Sequence, residues 1–276
     1  MNKSERCLIA VDLDNTILSG LYSLCCESVY ALIEAQSAGH VVMIATARPR
    51  AMAMPWHRAM GLRGPISTLN GAYLYHPDDP AFPPHQDLIC AESTAAISDA
   101  AARAGLRRIW FEVDDGVRAV QPPREDFYYF REVFRQSGAA CFPALPAEPA
   151  ARIYACADAA AQADVLLDAA GACADVAARR TVSASGEHRV NFNSVRADKW
   201  FAVRRTAEFY GIPRENIIAF GDEINDRQMI LSAGHGFALC NGSRALQEEA
   251  LRAGASVTEY PCAEGGVARA LRGLIL

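Results

Sequence analysis

Lysine is nearly absent from this chain: of 27 basic residues only Lys3 and Lys199 are lysines, and the rest are arginines. Long apolar runs are missing too. None reaches 18 residues, the length at which a membrane-spanning helix would be read. The run Cys7–Val11 stops at Asp12 and is too short for the core of a signal peptide. The 9 cysteines include no C-x-x-C pair, so the spacing of a zinc site or a disulfide framework is lacking. Scattered through apolar stretches, they read as small buried side chains in a reducing compartment. An excess of positive charge is also missing, and a net charge of -5 argues against nucleic acid or an anionic membrane as the main partner. These absences predict a cytoplasmic protein.

What is present is an ordinary globular composition, 51% hydrophobic and 21% charged, in 276 residues, long enough for two domains. Cys7–Val11 and Val41–Ala45 are short apolar runs of the kind that form inner strands of a parallel sheet covered by helices. Between them, 22–38 carries apolar residues at helical spacing and ends at Gly39, so strand, helix and strand read as a βαβ unit. A helix is expected over 51–60, kinked or restarted at Pro55. From about His76 the texture turns to proline and aspartate, and mixed helical and strand-like segments follow. The alanine-rich stretch 158–180 predicts one or two helices, since alanine is the best helix former. The first texture resumes near Asn191, with a helix over 198–210, a strand at 216–220, a short helix over 225–232 and a strand at 236–239. The expected fold is α/β: a Rossmann-like parallel-sheet core of residues 1–78 and 191–276, interrupted by an α+β domain over 79–190.

Ligands and catalytic groups in open parallel sheets gather at the carboxyl ends of strands. Here those ends read Asp12-Leu13-Asp14-Asn15-Thr16, Thr46-Ala47-Arg48 and Gly221-Asp222-Glu223, with Lys199 opening the helix between and Asp226 four residues after Asp222. Four carboxylates in one crevice would repel and raise each other's pKa values. A hard divalent cation relieves that, and an all-oxygen set without His or Cys favours magnesium over zinc. In a chain that otherwise uses arginine, Lys199 marks a place where a compact point charge is wanted, for an ionised aspartate and a phosphoryl group alike. Asp12 and Asp14, two apart on an extended backbone, face the same way. One carboxylate can attack phosphorus while the other protonates the leaving oxygen and later accepts a proton from water. The Thr46 hydroxyl and N–H groups of the Asp12 loop can hold the non-bridging oxygens.

In this order, D-L-D-N-T, T-A-R, an isolated lysine and G-D-E-I-N-D-R-Q-M resemble the four motifs of the haloacid dehalogenase superfamily. Asn241-Gly242 and Glu264-Gly265-Gly266-Val267 are similar to the tail of its Cof-type branch. The resemblance implies an inserted cap domain between the second and third motifs. It implies Asp12 as nucleophile, Asp14 as general acid/base with its carbonyl on the metal, and Thr46 and Lys199 on the phosphoryl group. Asp222 would bind Mg2+ directly, Asp226 would bind through water or steer Lys199, and Asn225 would touch the phosphoryl group or the metal's outer shell. Asn15 stands where glycine is commonest in the branch, and Ala47 in the middle of the usual T-G-R. The implied activity is phosphatase action on a small phosphorylated metabolite, phosphosugars first. A phosphomutase using the same aspartyl-phosphate, or a phosphosugar-binding regulator without turnover, are the alternatives. The oligomeric state is not written in the motifs.

Other residues read more plainly. Arg48 is either a helix-start cation or a substrate contact. Asn70-Gly71 reads as a turn in preference to a substrate contact, Glu187 and His188 as a solvated loop in preference to a cap loop facing the site, and Trp110 with Tyr128 and Tyr129 as core of the inserted domain.

Overall fold

The computed structural model describes residues 5–20, 22–114, 116–122, 128–145 and 147–276, with backbone alone at 128–130. Lys3 and the side chains of Tyr128 and Tyr129 lie outside the described residues. The chain divides into two compact units: residues up to Ala47, Met54–His85 and Asp198–Leu276 form the first, Arg48–Ala53 and Gln86–Ala197 the second.

The first unit is built on one sheet in the spatial order β16 (Ser256–Val257), β15 (His235–Ala238), β14 (Ile217–Gly221), β1 (Leu8–Val11), β4 (Val41–Ala45), β5 (Ile66–Thr68), β6 (Tyr73–Tyr75) and β7 (His85–Gln86). From β16 to β5 every pairing is parallel, and β6 turns back antiparallel on β5. All residues of β1, β4, β5 and β14 are buried, as expected of strands covered on both faces. On one face Leu8, Ala10, Met43 and Ala219 pack with Val203 and Ala207 of α6 (Lys199–Tyr210) and with Met229 of α7 (Arg227–Ser232). The remaining helices of this unit are α1 (Cys26–Ser37), α2 (Arg50–Ala59, whose first residues belong to the second unit), α8 (Arg244–Arg252) and α9 (Gly266–Leu274). A two-stranded hairpin, β2 (Leu18–Ser19) with β3 (Ser23–Leu24), precedes α1, so the helix starts later than its apolar spacing suggested. Pro55 neither breaks nor restarts α2; the helix runs through it, giving up the one ladder bond that a proline nitrogen cannot donate.

The order of the sheet reverses between β1 and β14. From β1 the chain moves outward to β4 and β5; from β14 it moves the other way to β15 and β16. In register, Val11 pairs with both Phe220 and Ile44, so the residues just past these strands, Asp12, Asp222 and Thr46, emerge side by side. That is a topological switch point, where open α/β sheets form a crevice.

The second unit holds a mainly antiparallel six-stranded sheet in the order β10 (Ala140–Cys141), β9 (Gly116–Ala119), β8 (Ile109–Val113), β11 (Arg152–Ala157), β13 (His188–Ser194) and β12 (Val176–Val182); its one parallel pairing is between β10 and β9. One face packs on α3 (Ala91–Arg103) and α5 (Ala160–Gly171) through Ile97, Phe111, Ile153, Leu166 and Phe192. On the other, Trp110 stacks on Tyr154 and meets Phe134 of α4 (Tyr128–Gln136) edge-on, so Trp110 is core as expected. The alanine-rich stretch yields one helix, α5, and then the strand β12, because pairing with β13 along its whole length overrides helix propensity. β13 runs unbroken across residues 190 and 191, so the unit ends at Ala197 rather than at the change of texture near Asn191. Glu187 is buried and paired with Arg108 and Arg189, and His188 opens β13, so this is no solvated loop. Of the 9 cysteines, all without disulfides, four are buried and three exposed, fewer buried than their apolar surroundings suggested.

Candidate active site

Asp12 leaves β1 with its N–H bonded to the Phe220 carbonyl at 3.0 Å, which ties it to the neighbouring strand as well as to its own. Lys199 is the first residue of α6, and the Asp198 carboxylate caps that helix by accepting from the Trp200 N–H at 2.6 Å. The cap fixes where the helix begins and hence where the lysine points. Its ammonium donates to Asp12 Oδ1 at 2.8 Å and to Asp226 Oδ1 at 2.6 Å, with the side chains of Lys199 and Asp226 fully buried.

Asp226 is reached by a single 3-10 turn, Ile224–Asp226. Its second oxygen accepts from the backbone N–H groups of Asp222 and Glu223 at 3.0 and 3.1 Å. The turn closes so tightly that a Cβ on Gly221 would lie 2.3 Å from the Asp226 carboxyl carbon, which is why glycine precedes Asp222. Both Asp226 oxygens are therefore engaged within the protein.

Carboxylate oxygens of Asp12, Asp222 and Asp226 lie within 4.8 Å of one another, and all three residues are buried. Burial pushes the Asp12 carboxyl well above the usual range; Lys199 pulls it back, and the charges of Asp226 and Asp14 push it up again. Asp222 is pushed up to about 7, by burial first and then by Asp226, while a hydrogen bond from Asn15 and the charge of Lys199 oppose the rise. Lys199 is held charged: burial works against its proton, but Asp12 and Asp226 more than offset that. One lysine among three buried carboxyl groups leaves uncompensated negative potential. With oxygen donors only, that potential suits a hard divalent cation. All three carboxylates have lone pairs to offer it; Asp226 has the fewest left, since its oxygens already accept from Lys199 and two N–H groups.

Asp14 lies outside the three-carboxylate group but near enough to act on Asp12 electrostatically, and it pairs as an isolated bridge with Leu18. Thr46 is fully buried at the end of β4, where its N–H donates to the Ser67 carbonyl at 2.9 Å. Asn225 is exposed and donates to Asn70 Oδ1 at 2.9 Å. Arg48 is buried and groups with the second unit rather than with the carboxylates.

Three residues of this site were not singled out as part of it from the sequence. Asn15 adopts a left-handed backbone, φ 52°, with its side chain on Asp222. Asn241 donates to the Asn15 carbonyl at 2.8 Å and accepts from the Cys262 N–H at 2.7 Å, tying the tail of the chain to the Asp12 loop. Asn70 is the third. The signal for Asn15 was in plain view, a side chain where glycine is commonest.

Comparison with known proteins agrees with this architecture. The sequence profile of the haloacid dehalogenase-like hydrolases matches residues 9–271. The 5-amino-6-(5-phospho-D-ribitylamino)uracil phosphatase YitU of Bacillus subtilis is 28% identical over 279 residues, covering 96% of each chain. The pyridoxal phosphate phosphatase YbhA of Escherichia coli is 26% identical over 264 residues, covering 88% of this chain and 91% of its own. Among solved structures, a haloacid dehalogenase-like hydrolase from Bacteroides thetaiotaomicron superposes with a TM-score of 0.78 at 20% identity, covering 98% of this chain and 100% of that one. The chain belongs to the haloacid dehalogenase-like hydrolases and is an enzyme of their phosphatase type.

Proposed function

We propose that the chain is a Mg2+-dependent phosphatase that cleaves small phosphate monoesters, sugar phosphates first, through an aspartyl-phosphate on Asp12. The observation that carries this reading is the buried Lys199 ammonium, shared between Asp12 and Asp226 beside Asp222 at the switch point of the sheet. Asp12 attacks phosphorus; the bond from phosphorus to the alcohol oxygen breaks as Asp14 donates its proton to that oxygen. Asp14 then takes a proton from water, whose oxygen displaces Asp12 from phosphorus and leaves inorganic phosphate. Lys199 and the Thr46 hydroxyl hold the non-bridging oxygens throughout, and Asn225 supplies a further donor. Asp226 acts by steering Lys199. Mg2+ held by Asp12, Asp222 and the Asp14 carbonyl would neutralise charge on the phosphoryl oxygens. Residues 86–197 act as the cap that selects the leaving group, with Arg48 as a substrate contact. The phosphorylated small molecules named for the relatives YitU and YbhA support a small-metabolite substrate.

The test is phosphate release from a panel of sugar phosphates and an aryl phosphate, with Mg2+, with EDTA and with Asp12→Asn. Turnover should need the metal and fall at least about a thousandfold in the variant. A folded, Mg2+-supplied protein that releases no phosphate overturns the reading. Isomerisation of the sugar phosphate in its place would identify a mutase, and binding without either reaction a regulator.

A further inference from the structure

The turn that follows β5 carries three successive residues with left-handed backbone: Leu69 at φ 50°, Asn70 at φ 59° and Gly71 at φ 97°. Leucine seldom adopts this region, and such strain persists only where the surroundings impose it. Three contacts impose it here. The Leu69 side chain is buried. The Asn70 N–H donates to the Thr46 carbonyl at 3.0 Å. Gly71 lies against the backbone of Asp198, so close that a Cβ on it would stand 2.3 Å from the Asp198 carbonyl oxygen. One turn therefore touches both the strand end that carries Thr46 and the capping residue of the helix that begins with Lys199.

The Asn70 side chain makes a further connection, accepting from Asn225 Nδ2 at 2.9 Å across 155 positions of sequence. Asn225 is exposed on a single 3-10 turn, where an amide would otherwise sample several rotamers. A phosphoryl oxygen only accepts hydrogen bonds, so Asn225 serves it only when an N–H faces the right way. By taking one of the two Nδ2 hydrogens, Asn70 fixes the direction of the other. Position 70 needs a residue that tolerates left-handed backbone and also carries an amide oxygen, and asparagine is both.

We propose that Asn70 is a positioning residue of the phosphoryl pocket: pinned to Thr46 through its backbone, it orients the Asn225 amide toward the transferred group. This rests on the phosphatase reading above. The ordering of Asn225 is met in the folded protein before substrate arrives, which is how a supporting residue raises the rate without touching the reacting atoms.

A double-mutant cycle tests it. Asn70→Gly keeps a residue at ease in left-handed backbone and deletes the amide; Asn225→Ala removes the group it orients. Hydrolysis of an aryl phosphate and binding of inorganic orthophosphate by calorimetry, both with Mg2+, are measured for wild type, each single variant and the double. We expect Asn70→Gly to melt close to wild type, to lower kcat/KM and orthophosphate affinity roughly tenfold, and to have no further effect once Asn225 is alanine. Equal losses in both backgrounds, or no loss in either, overturn the proposal. If the glycine variant folds poorly, Asn70→Ser, whose hydroxyl is too short to reach Asn225, enters the same cycle. Wild type that binds orthophosphate without turnover sinks the phosphatase reading alone, and the binding arm still decides the role of Asn70. Wild type that does neither overturns both.

Discussion

Lys199 is the residue on which the site turns. Its ammonium is the counter-charge for two buried carboxylates, so Lys199→Met would leave Asp12 and Asp226 facing each other without a cation. Breaking a buried pair in this way costs about 3 kcal/mol or more, and we expect the variant to unfold at markedly lower urea concentration and to release no phosphate. A midpoint equal to wild type would show that the carboxylates are solvated in a way their burial excludes. Asn15 predicts something different. Asn15→Gly keeps the left-handed turn and removes only the hydrogen bond to Asp222. Outer partners of metal ligands are worth roughly 10- to 100-fold in metal affinity, so the Mg2+ concentration for half-maximal activity should rise by about that factor while thermal stability in EDTA barely changes. An unchanged Mg2+ requirement would return Asn15 to the role of a turn residue.

At the scale of elements, the site is assembled by the ends of strands and the start of one helix. Parallel pairing of β1 with β14 and β4 brings Asp12, Asp222 and Thr46 level, and the Asp198 cap sets the first turn of α6. The contact that locks these pieces is the close approach of Gly71 to Asp198. Gly71→Ala places an L side chain at φ 97° and drives its Cβ into that backbone; strain and displacement together should cost about 2 kcal/mol or more. Calorimetric melting reads the stability, and activity should fall further than stability explains, since the residue displaced is the cap of the Lys199 helix. A destabilised variant whose remaining folded protein is also impaired would fit this account; one as stable and as active as wild type would not.

For the molecule as a whole, the proposed metal site would couple to proton binding at Asp222. Burial raises its folded-state pKa to about 7, far above an unfolded carboxyl near about 4. Without metal, the folded chain therefore holds a proton between these values that the unfolded chain has released, so on this account its stability rises as pH falls from 7 toward 4. On the proposed reading Mg2+ displaces that proton, and the stabilisation it confers should be full above pH 7 and shrink below it. The difference in melting temperature between Mg2+ and EDTA should be large at pH 8 and small at pH 5; a difference independent of pH would contradict it. His40 and His57, held below the usual imidazole range by burial, destabilise both samples as pH falls through about 6.5, and so cancel in the comparison.

Residue types and spacing within short windows were enough to read the α/β class, the motif carboxylates and the odd lysine. D-x-D, T-x-R and G-D-x-x-x-D are each confined to one strand end, and β1, β4 and β14 announce themselves as apolar runs. The chain written in one dimension could not decide what arrives from far away. Asn70 meets Asn225 across 155 positions and Asn241 meets Asn15 across 226, and no local pattern marks an asparagine as the partner of another that distant. The alanine-rich stretch became a helix followed by a strand because β13 offered its later residues a ladder of backbone partners, a preference that belongs to the neighbour and not to the segment. The partners of Asp226 likewise came from elsewhere in the chain: Lys199, 27 positions before it, takes one of its oxygens, while the backbone N–H groups of Asp222 and Glu223 take the other. Local sequence carries local propensity and the identity of reacting groups. Which lone pairs, protons and backbone contacts remain available to those groups is settled only when the folded chain brings their partners beside them.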